Sequence, residues 1–94
     1  MLRAVATRPT EWFVYVLRCG PCGALYVGRT TDVDRRFAEH VAGTGARYTR
    51  ANRPTSIAWV EGGHSAASSG RREAEVKRLR RSKRLVLIGR GSRP

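Results

Sequence analysis

Acidic residues, cysteines and long apolar runs are all scarce in this sequence. Its 94 residues include 7 Asp and Glu against 19 Lys and Arg, which gives a net charge of +12. No apolar stretch approaches the roughly 20 residues that cross a bilayer, and the N-terminal segment lacks the apolar run of a signal peptide. The sequence therefore predicts a cytoplasmic protein without a membrane-spanning segment.

Cysteine occurs only at Cys19 and Cys22, which is too few for a disulfide framework and indicates reduced thiols. With His40 and His64 as the only histidines, no recognised spacing for thiolate ligation of a metal exists. The run Cys19-Gly20-Pro21-Cys22 has the letters of a thioredoxin-type motif, which works at a helix N-terminus. Here it lies between two predicted strands, so we interpret it as a turn and not as a redox site.

The surplus of basic residues indicates a polyanionic partner, and nucleic acid is the leading candidate. A cationic surface kept only for solubility is the alternative, but so one-sided a charge is unusual in a short chain. Basic pairs recur between Arg71 and Arg84 in a predicted helical region, where they would follow phosphates without reading sequence. Charge alone does not separate a nuclease from a binding protein.

The length suits one compact domain, which we place at residues 12–88 between a loose N-terminus, 1–11, and a loose tail, 89–94. Apolar patterns and turn residues then predict the elements. The strands are expected at 12–17, 24–28 and 56–61, and the helices at 33–41, 46–52, 69–81 and 83–88. This order predicts an α+β fold, a three-stranded antiparallel sheet with helices packed on it.

Two tyrosines lie on the strands of the first predicted hairpin. The centre of the loop sets the register of an antiparallel pair, and a centre between Gly20 and Pro21 places Tyr15 directly opposite Tyr26. The two phenols would then converge on one face of the sheet. Taken alone, two strand tyrosines are more often ordinary packing.

The first predicted helix begins after Thr30-Thr31-Asp32, a good N-cap cluster. Its apolar stripe, expected to face the sheet, is made of Val33, Phe37 and Val41. Arg36 and His40 border this stripe, whereas Arg35 points to solvent. An arginine at the edge of a core can bind a phosphate through two hydrogen bonds, and a neutral histidine beside it can accept or relay a proton.

An ordered set of motifs over residues 12–88 resembles the GIY-YIG nuclease family, and most closely its small stand-alone bacterial members. The motifs are Val14-Tyr15-Val16, Tyr26-Val27-Gly28, Arg36 with His40, the run Gly43-Thr44-Gly45-Ala46-Arg47-Tyr48-Thr49, and Arg71-Arg72-Glu73. Each alone is weak, but their order is specific. Val14 and Val16 replace the glycine and isoleucine of the family name. An asparagine that some members carry near the end of the domain has no clear counterpart after Glu73, so its role is either absent or filled by Lys83 or Arg84.

The resemblance implies a metal-dependent endonuclease. Its catalytic residues would be Tyr15, Tyr26, Arg36, His40 and Glu73, with Glu73 also holding Mg²⁺ or Mn²⁺. Helical phase does not distinguish Glu73 from Glu75, so this choice rests on the resemblance. It stays open whether Tyr15, Tyr26 or His40 takes the proton of the attacking water.

Basic and aromatic residues around the same site are expected to contact nucleic acid: Arg29, Arg35, Arg47, Tyr48, Arg50, Arg72, Lys77 and Arg78. DNA is our first expectation, although the sequence does not distinguish it from RNA. So small a domain suits structure-selective or weakly sequence-specific cleavage, as in repair or recombination, unless a protein partner adds specificity. The competing interpretation is a non-catalytic, basic nucleic-acid-binding module with the same fold.

Overall fold

The computed structural model describes residues 10–92 and confirms the predicted α+β architecture. A three-stranded antiparallel sheet carries helices on both faces. The elements are β1 (Trp12–Cys19), β2 (Ala24–Thr30), α1 (Val33–Ala42), α2 (Arg47–Ala51), β3 (Pro54–His64), α3 (Ala66–Arg78) and α4 (Arg81–Gly89). None of the helices in this part of the chain combines the length and apolar character that a membrane span needs.

Strand β1 lies at the centre of the sheet, between β2 and β3. Side chains from both faces of a central strand are buried, which explains why the sequence of β1 is almost continuously apolar. One face, here called the α3 face, buries the cluster Val14, Val16, Val27, Trp59 and Val76. The other, here called the α1 face, buries Tyr15, Leu17 and Cys19, with Phe37 packed against them.

The loop of the first hairpin contains the residues from Gly20 to Gly23, because Cys19 pairs with Ala24. Its first and last residues are glycines with φ angles of 61° and 70°, which residues with a β-carbon rarely adopt. The centre of the loop therefore lies just after Pro21. The predicted register places it one residue earlier, just before Pro21.

The predicted pairing of Tyr15 with Tyr26 is consequently wrong. Tyr15 pairs with Gly28, and Tyr26 pairs with Leu17. A register shift of two residues leaves every side chain on its original face. Both phenols therefore lie on the α1 face as expected, in diagonal positions with their ring centroids 6.5 Å apart.

Helix α1 begins where the sequence predicts, and it ends at a glycine. The Asp32 carboxylate accepts a hydrogen bond from the backbone of the first turn, and Gly43 ends the helix with φ of 84°. The predicted apolar stripe holds for Phe37 but is wrong for Val41, which is 43% exposed. His40 and Val41, three and four residues after Phe37, point to similar sides of the helix. Of the two, His40 is the one that is fully buried.

The C-terminal half differs from its predicted spans in length. Strand β3 continues three residues past its predicted end, and α3 begins three residues early. Ser65 and Ser68 form a capping box at the start of α3 in which serine replaces the usual Glu or Gln, so the sequence signature is missing. Leu79 and Arg80 adopt extended backbone angles, which separates α3 from α4.

The predicted loose ends, 1–11 and 89–94, fall partly outside the described residues, which exclude 1–9 and 93–94. At the described N-terminal end, the Glu11 carboxylate accepts a hydrogen bond from the backbone N–H of Gly63. At the C-terminal end, the Ser92 hydroxyl accepts one from the backbone N–H of Val60. Strand β3 is the partner in both contacts.

Gly28→Ala is expected to destabilise the fold, because the added methyl group would overlap the Tyr15 hydroxyl, which lies over Gly28. Overpacking of this kind costs roughly 1–3 kcal/mol, and urea denaturation measures the loss of unfolding free energy. Gly89→Ala is the matched control, since a β-carbon there meets nothing within 4 Å. An equal effect of the two substitutions would contradict the close approach of Tyr15 to Gly28.

Candidate functional site

A hydrogen bond between Tyr15 and His40 joins β1 to α1 on the α1 face. The Tyr15 hydroxyl and His40 Nε2 are 2.9 Å apart. Tyr15 is 2% exposed and His40 is fully buried. Buried polar groups need hydrogen-bond partners to avoid a desolvation penalty, so this bond fixes how α1 sits on the sheet.

Tyr26 lies beside this pair. Its ring centroid is 6.5 Å from that of Tyr15 and 5.2 Å from that of His40. The Tyr26 ring is also stacked with Tyr48 of α2, at an interplanar angle of 13°. Because Tyr48 is 42% exposed, the aromatic stack leads from the buried pair to the protein surface.

The Arg36 guanidinium lies next to the Tyr15 hydroxyl. It also donates a hydrogen bond to Glu39 at 2.8 Å. The Arg36 side chain is only 34% exposed, against 58% for Arg35. The predicted orientation of α1, with Arg36 and His40 toward the sheet and Arg35 toward solvent, is therefore confirmed.

Burial sets the protonation states of the pair. Burial and the neighbouring Tyr26 raise the pKa of Tyr15 to about 12, although Arg36 acts in the opposite direction. Burial also lowers the pKa of His40, and the positive charge of Arg36 adds to this effect. At neutral pH the pair is therefore a neutral phenol hydrogen-bonded to a neutral imidazole.

His40 has a second partner that the sequence analysis did not single out. Its Nδ1 atom lies 2.6 Å from the Oγ1 atom of Thr49, which is fully buried on α2. Gly45 lies against the same side of the ring, where a β-carbon would overlap Nδ1. Both residues belong to the motif run at 43–49, and that run is the only sequence signal that points to them.

Glu73 lies on α3, beside β2. Its carboxylate is 3.7 Å from Arg29 and 3.3 Å from Lys77. Its negative charge raises the pKa of Tyr15, so the two groups interact electrostatically. The hydrogen bonds found within residues 10–92 include none to the Glu73 carboxylate, whereas Glu39 and Glu61 each accept at least one. Both Glu73 oxygens therefore keep lone pairs available for a metal ion.

A metal ion at this site would rest on one protein carboxylate. Among the described residues, no group of three or more His, Cys, Asp or Glu side chains is placed to hold a metal. Mg²⁺ commonly binds through one or two carboxylates together with waters and phosphate oxygens. The donor set at Glu73 fits that mode of binding and not an ion enclosed by protein ligands.

Five of the residues predicted to contact nucleic acid are exposed around α2 and α3: Arg47, Tyr48, Arg50, Lys77 and Arg78. Arg35 is also exposed, although it pairs with Asp32 and Glu39 of its own helix region. These side chains are accessible to a polyanion.

Arg29, although exposed, and the half-buried Arg72 both bind partners within the fold. Arg29 donates hydrogen bonds to α3 and lies 4.9 Å above the Trp12 ring, so it links β2 to α3 next to Glu73. Arg72 lies on the α3 face, where it binds Glu61 at 2.9 Å and packs over Trp59. Its charge is matched by carboxylates, and the structure does not bring Arg72 to the Tyr15 and His40 pair.

Comparison with known proteins identifies the family to which this domain belongs. Residues 11–85 match the model of the GIY-YIG catalytic domain. A UPF0213 protein of Vibrio cholerae is 41% identical over 90 residues, which cover 93% of this chain and 86% of the relative. A UPF0213 protein of Natronomonas pharaonis is 45% identical over 78 residues, which cover 83% of this chain and 91% of the relative.

A solved structure agrees in fold. The solution NMR structure of a UPF0213 protein from Bacillus halodurans is 40% identical, with a TM-score of 0.53 and coverage of 84% of this chain and 83% of that one. The order of motifs, the three-stranded sheet and the match to the domain model lead to one conclusion. The chain belongs to the GIY-YIG nuclease family.

Proposed function

We propose that this protein is a metal-dependent endonuclease that hydrolyses phosphodiester bonds in nucleic acid. The observation that carries the proposal is the buried hydrogen bond between Tyr15 and His40, with the Arg36 guanidinium beside it. A protein that only binds nucleic acid needs an exposed basic surface. Such a protein does not require a buried, neutral imidazole that is hydrogen-bonded to a phenol.

Tyr15 and His40 supply a route for the proton of the attacking water. A neutral imidazole is a base at neutral pH, whereas a phenol with a pKa of about 12 keeps its proton. As water attacks phosphorus, its proton passes to the Tyr15 oxygen while the Tyr15 proton passes to His40 Nε2. The phenol ends neutral and His40 ends as the imidazolium, which can return a proton to the leaving oxygen by the same route.

Arg36 has the charge and the position to stabilise the transition state. Its guanidinium is next to the Tyr15 hydroxyl and is partly exposed, so it can donate hydrogen bonds to the non-bridging oxygens of a phosphate. Arg29, beside Glu73, would contribute positive charge from β2. Together these two arginines would contribute to binding the phosphate.

Glu73 would hold the metal ion. A bound Mg²⁺ or Mn²⁺ supplies charge stabilisation to the phosphate and the leaving oxygen. Without the ion, Glu73 is balanced by Arg29 and Lys77, which keeps a lone carboxylate from repelling the substrate. The same two cations suit a phosphate placed next to the carboxylate.

DNA is the proposed substrate, and local structure is the proposed determinant of cleavage. The exposed basic residues around α2 and α3 are suited to phosphate contacts, which position a nucleic acid without reading its sequence. Recognition of a long site would require a protein partner. Repair or recombination is the process that we propose for such an activity.

Incubation with linear, flapped and branched DNA in Mg²⁺ or Mn²⁺ is expected to give cleavage by the wild type. Glu73→Gln should reduce the rate at least about 100-fold while DNA binding survives, because the substitution removes the negative charge that holds the metal. Glu75→Gln is the matched control: it lies on the same helix, is mostly exposed and pairs with Arg72. Absence of cleavage of every substrate by the wild type would favour the non-catalytic binding module.

His40 is expected to titrate below its ordinary pKa of 6.5 in the folded protein. Arg36→Gln should raise its pKa, because a nearby positive charge that disfavours imidazolium is lost; Arg35→Gln, on the solvent side of α1, is the control. NMR titration of the imidazole measures both effects. The unfolded chain binds a proton at His40 more readily than the folded protein does. The free energy of unfolding should therefore fall as pH falls below about 6.5. A pKa at or above 6.5 would contradict the assignment of His40 as a neutral base.

A further inference from the structure

We propose that Thr49 is a positioning residue that fixes the tautomer of His40. In this tautomer Nδ1 carries the proton and Nε2 presents its lone pair to Tyr15. The inference rests on the proposed function for its catalytic consequence, since only an unprotonated Nε2 can receive the Tyr15 proton. The contacts on the two sides of the imidazole, with Thr49 and with Tyr15, favour the same tautomer.

On the Nδ1 side, the partner of the imidazole is Thr49. Its hydroxyl donates a hydrogen bond to the backbone carbonyl of Ala46 at 2.9 Å, one turn earlier in the chain. A hydroxyl has one proton to donate; with that proton on the Ala46 carbonyl, Thr49 Oγ1 accepts a hydrogen bond from His40 Nδ1, 2.6 Å away. Nδ1 must therefore carry the proton of the neutral imidazole.

On the Nε2 side, the partner of the imidazole is Tyr15. Its hydroxyl lies next to the Arg36 guanidinium, which has five donors and no acceptor. The positive charge of Arg36 therefore favours the Tyr15 oxygen and repels the Tyr15 proton, which needs an acceptor elsewhere. His40 Nε2, at 2.9 Å, is that acceptor and must be unprotonated. A proton on Nε2 would leave the buried Tyr15 proton without a partner, at a cost of roughly 1–3 kcal/mol.

The local fold holds this arrangement in place. Thr49 is fully buried on α2, and α2 packs against α1. Gly45 borders the imidazole at Nδ1, where a β-carbon would overlap the ring. The motif run at 43–49 therefore forms a pocket for one edge of His40, while Tyr15 contacts the opposite edge.

The inference has a direct test in Thr49→Val, which keeps the shape of the side chain but removes the hydroxyl. With no acceptor at Nδ1, the proton is free to move to Nε2, where it can donate to the Tyr15 oxygen. A histidine held in the wrong tautomer lowers kcat by up to about 10⁴-fold in a well-studied protease triad. We expect kcat to fall at least about 100-fold in Thr49→Val with KM little changed, and Thr49→Ser to restore it.

The tautomer itself is read from ¹⁵N chemical shifts of histidine in the full-length chain. The wild type and Thr49→Ser are expected to show a protonated Nδ1 and an unprotonated Nε2, and Thr49→Val is expected to gain the Nε2-protonated form. A protonated Nε2 in the wild type overturns the inference, and so does an unchanged tautomer in folded Thr49→Val. If Thr49→Val does not fold, the tautomer seen in the wild-type spectrum still tests the inference.

The spectra also separate this inference from the proposed function. The expected tautomer in a chain that cleaves no nucleic acid would support the positioning role of Thr49 and contradict the nuclease. Cleavage by Thr49→Val at the wild-type rate, with the wild-type tautomer, would support the nuclease and contradict the positioning role.

Discussion

The hydrogen bonds that run from Thr49 through His40 to Tyr15 are the constraint on which the site depends. They connect three elements, α2, α1 and β1, through side chains that are almost completely removed from solvent. Any one of these groups left without its partner would cost roughly 1–3 kcal/mol. The packing of both helices on the α1 face and the chemistry proposed for the site therefore depend on the same bonds.

Two glycines make room for these bonds. Gly28, opposite Tyr15 on β2, lets the phenol lie across the neighbouring strand, and Gly45 lets the imidazole approach the backbone before α2. The departures from the family motif affect the other side of the sheet. Val14 and Val16 belong to the apolar cluster of the α3 face, so these residues contribute to the core and leave the tyrosine side of β1 unchanged.

Much of the fold was predictable because its signals are local. The apolar run of β1 and the N-cap cluster before α1 each report on their own segment, and both features are found as predicted. The hairpin register was wrong because it depends on which loop residues take positive φ, and Gly20 and Gly23 are both able to do so. Because the register differs by an even number of residues, the more important prediction, that both tyrosines lie on the same face, is still confirmed.

The site was predictable only where the family motif or a helical phase pointed to it. Helical phase gave the orientation of Arg36 and His40, but it could not show that His40 rather than Val41 is buried. Thr49 is an unremarkable residue in sequence, and its role appears only when α2 is placed beside α1. Arg72 shows the reverse case: this residue of a basic run is paired with Glu61, a strand residue eleven positions earlier.

The dependence of the single-turnover cleavage rate on pH, at saturating metal ion, tests the central claim most directly. If neutral His40 receives the proton through Tyr15, the rate should rise as His40 loses its proton below pH 6.5 and then level off near neutrality. A rate that instead continues to climb through neutral and alkaline pH, toward the pKa of Tyr15 at about 12, would contradict it.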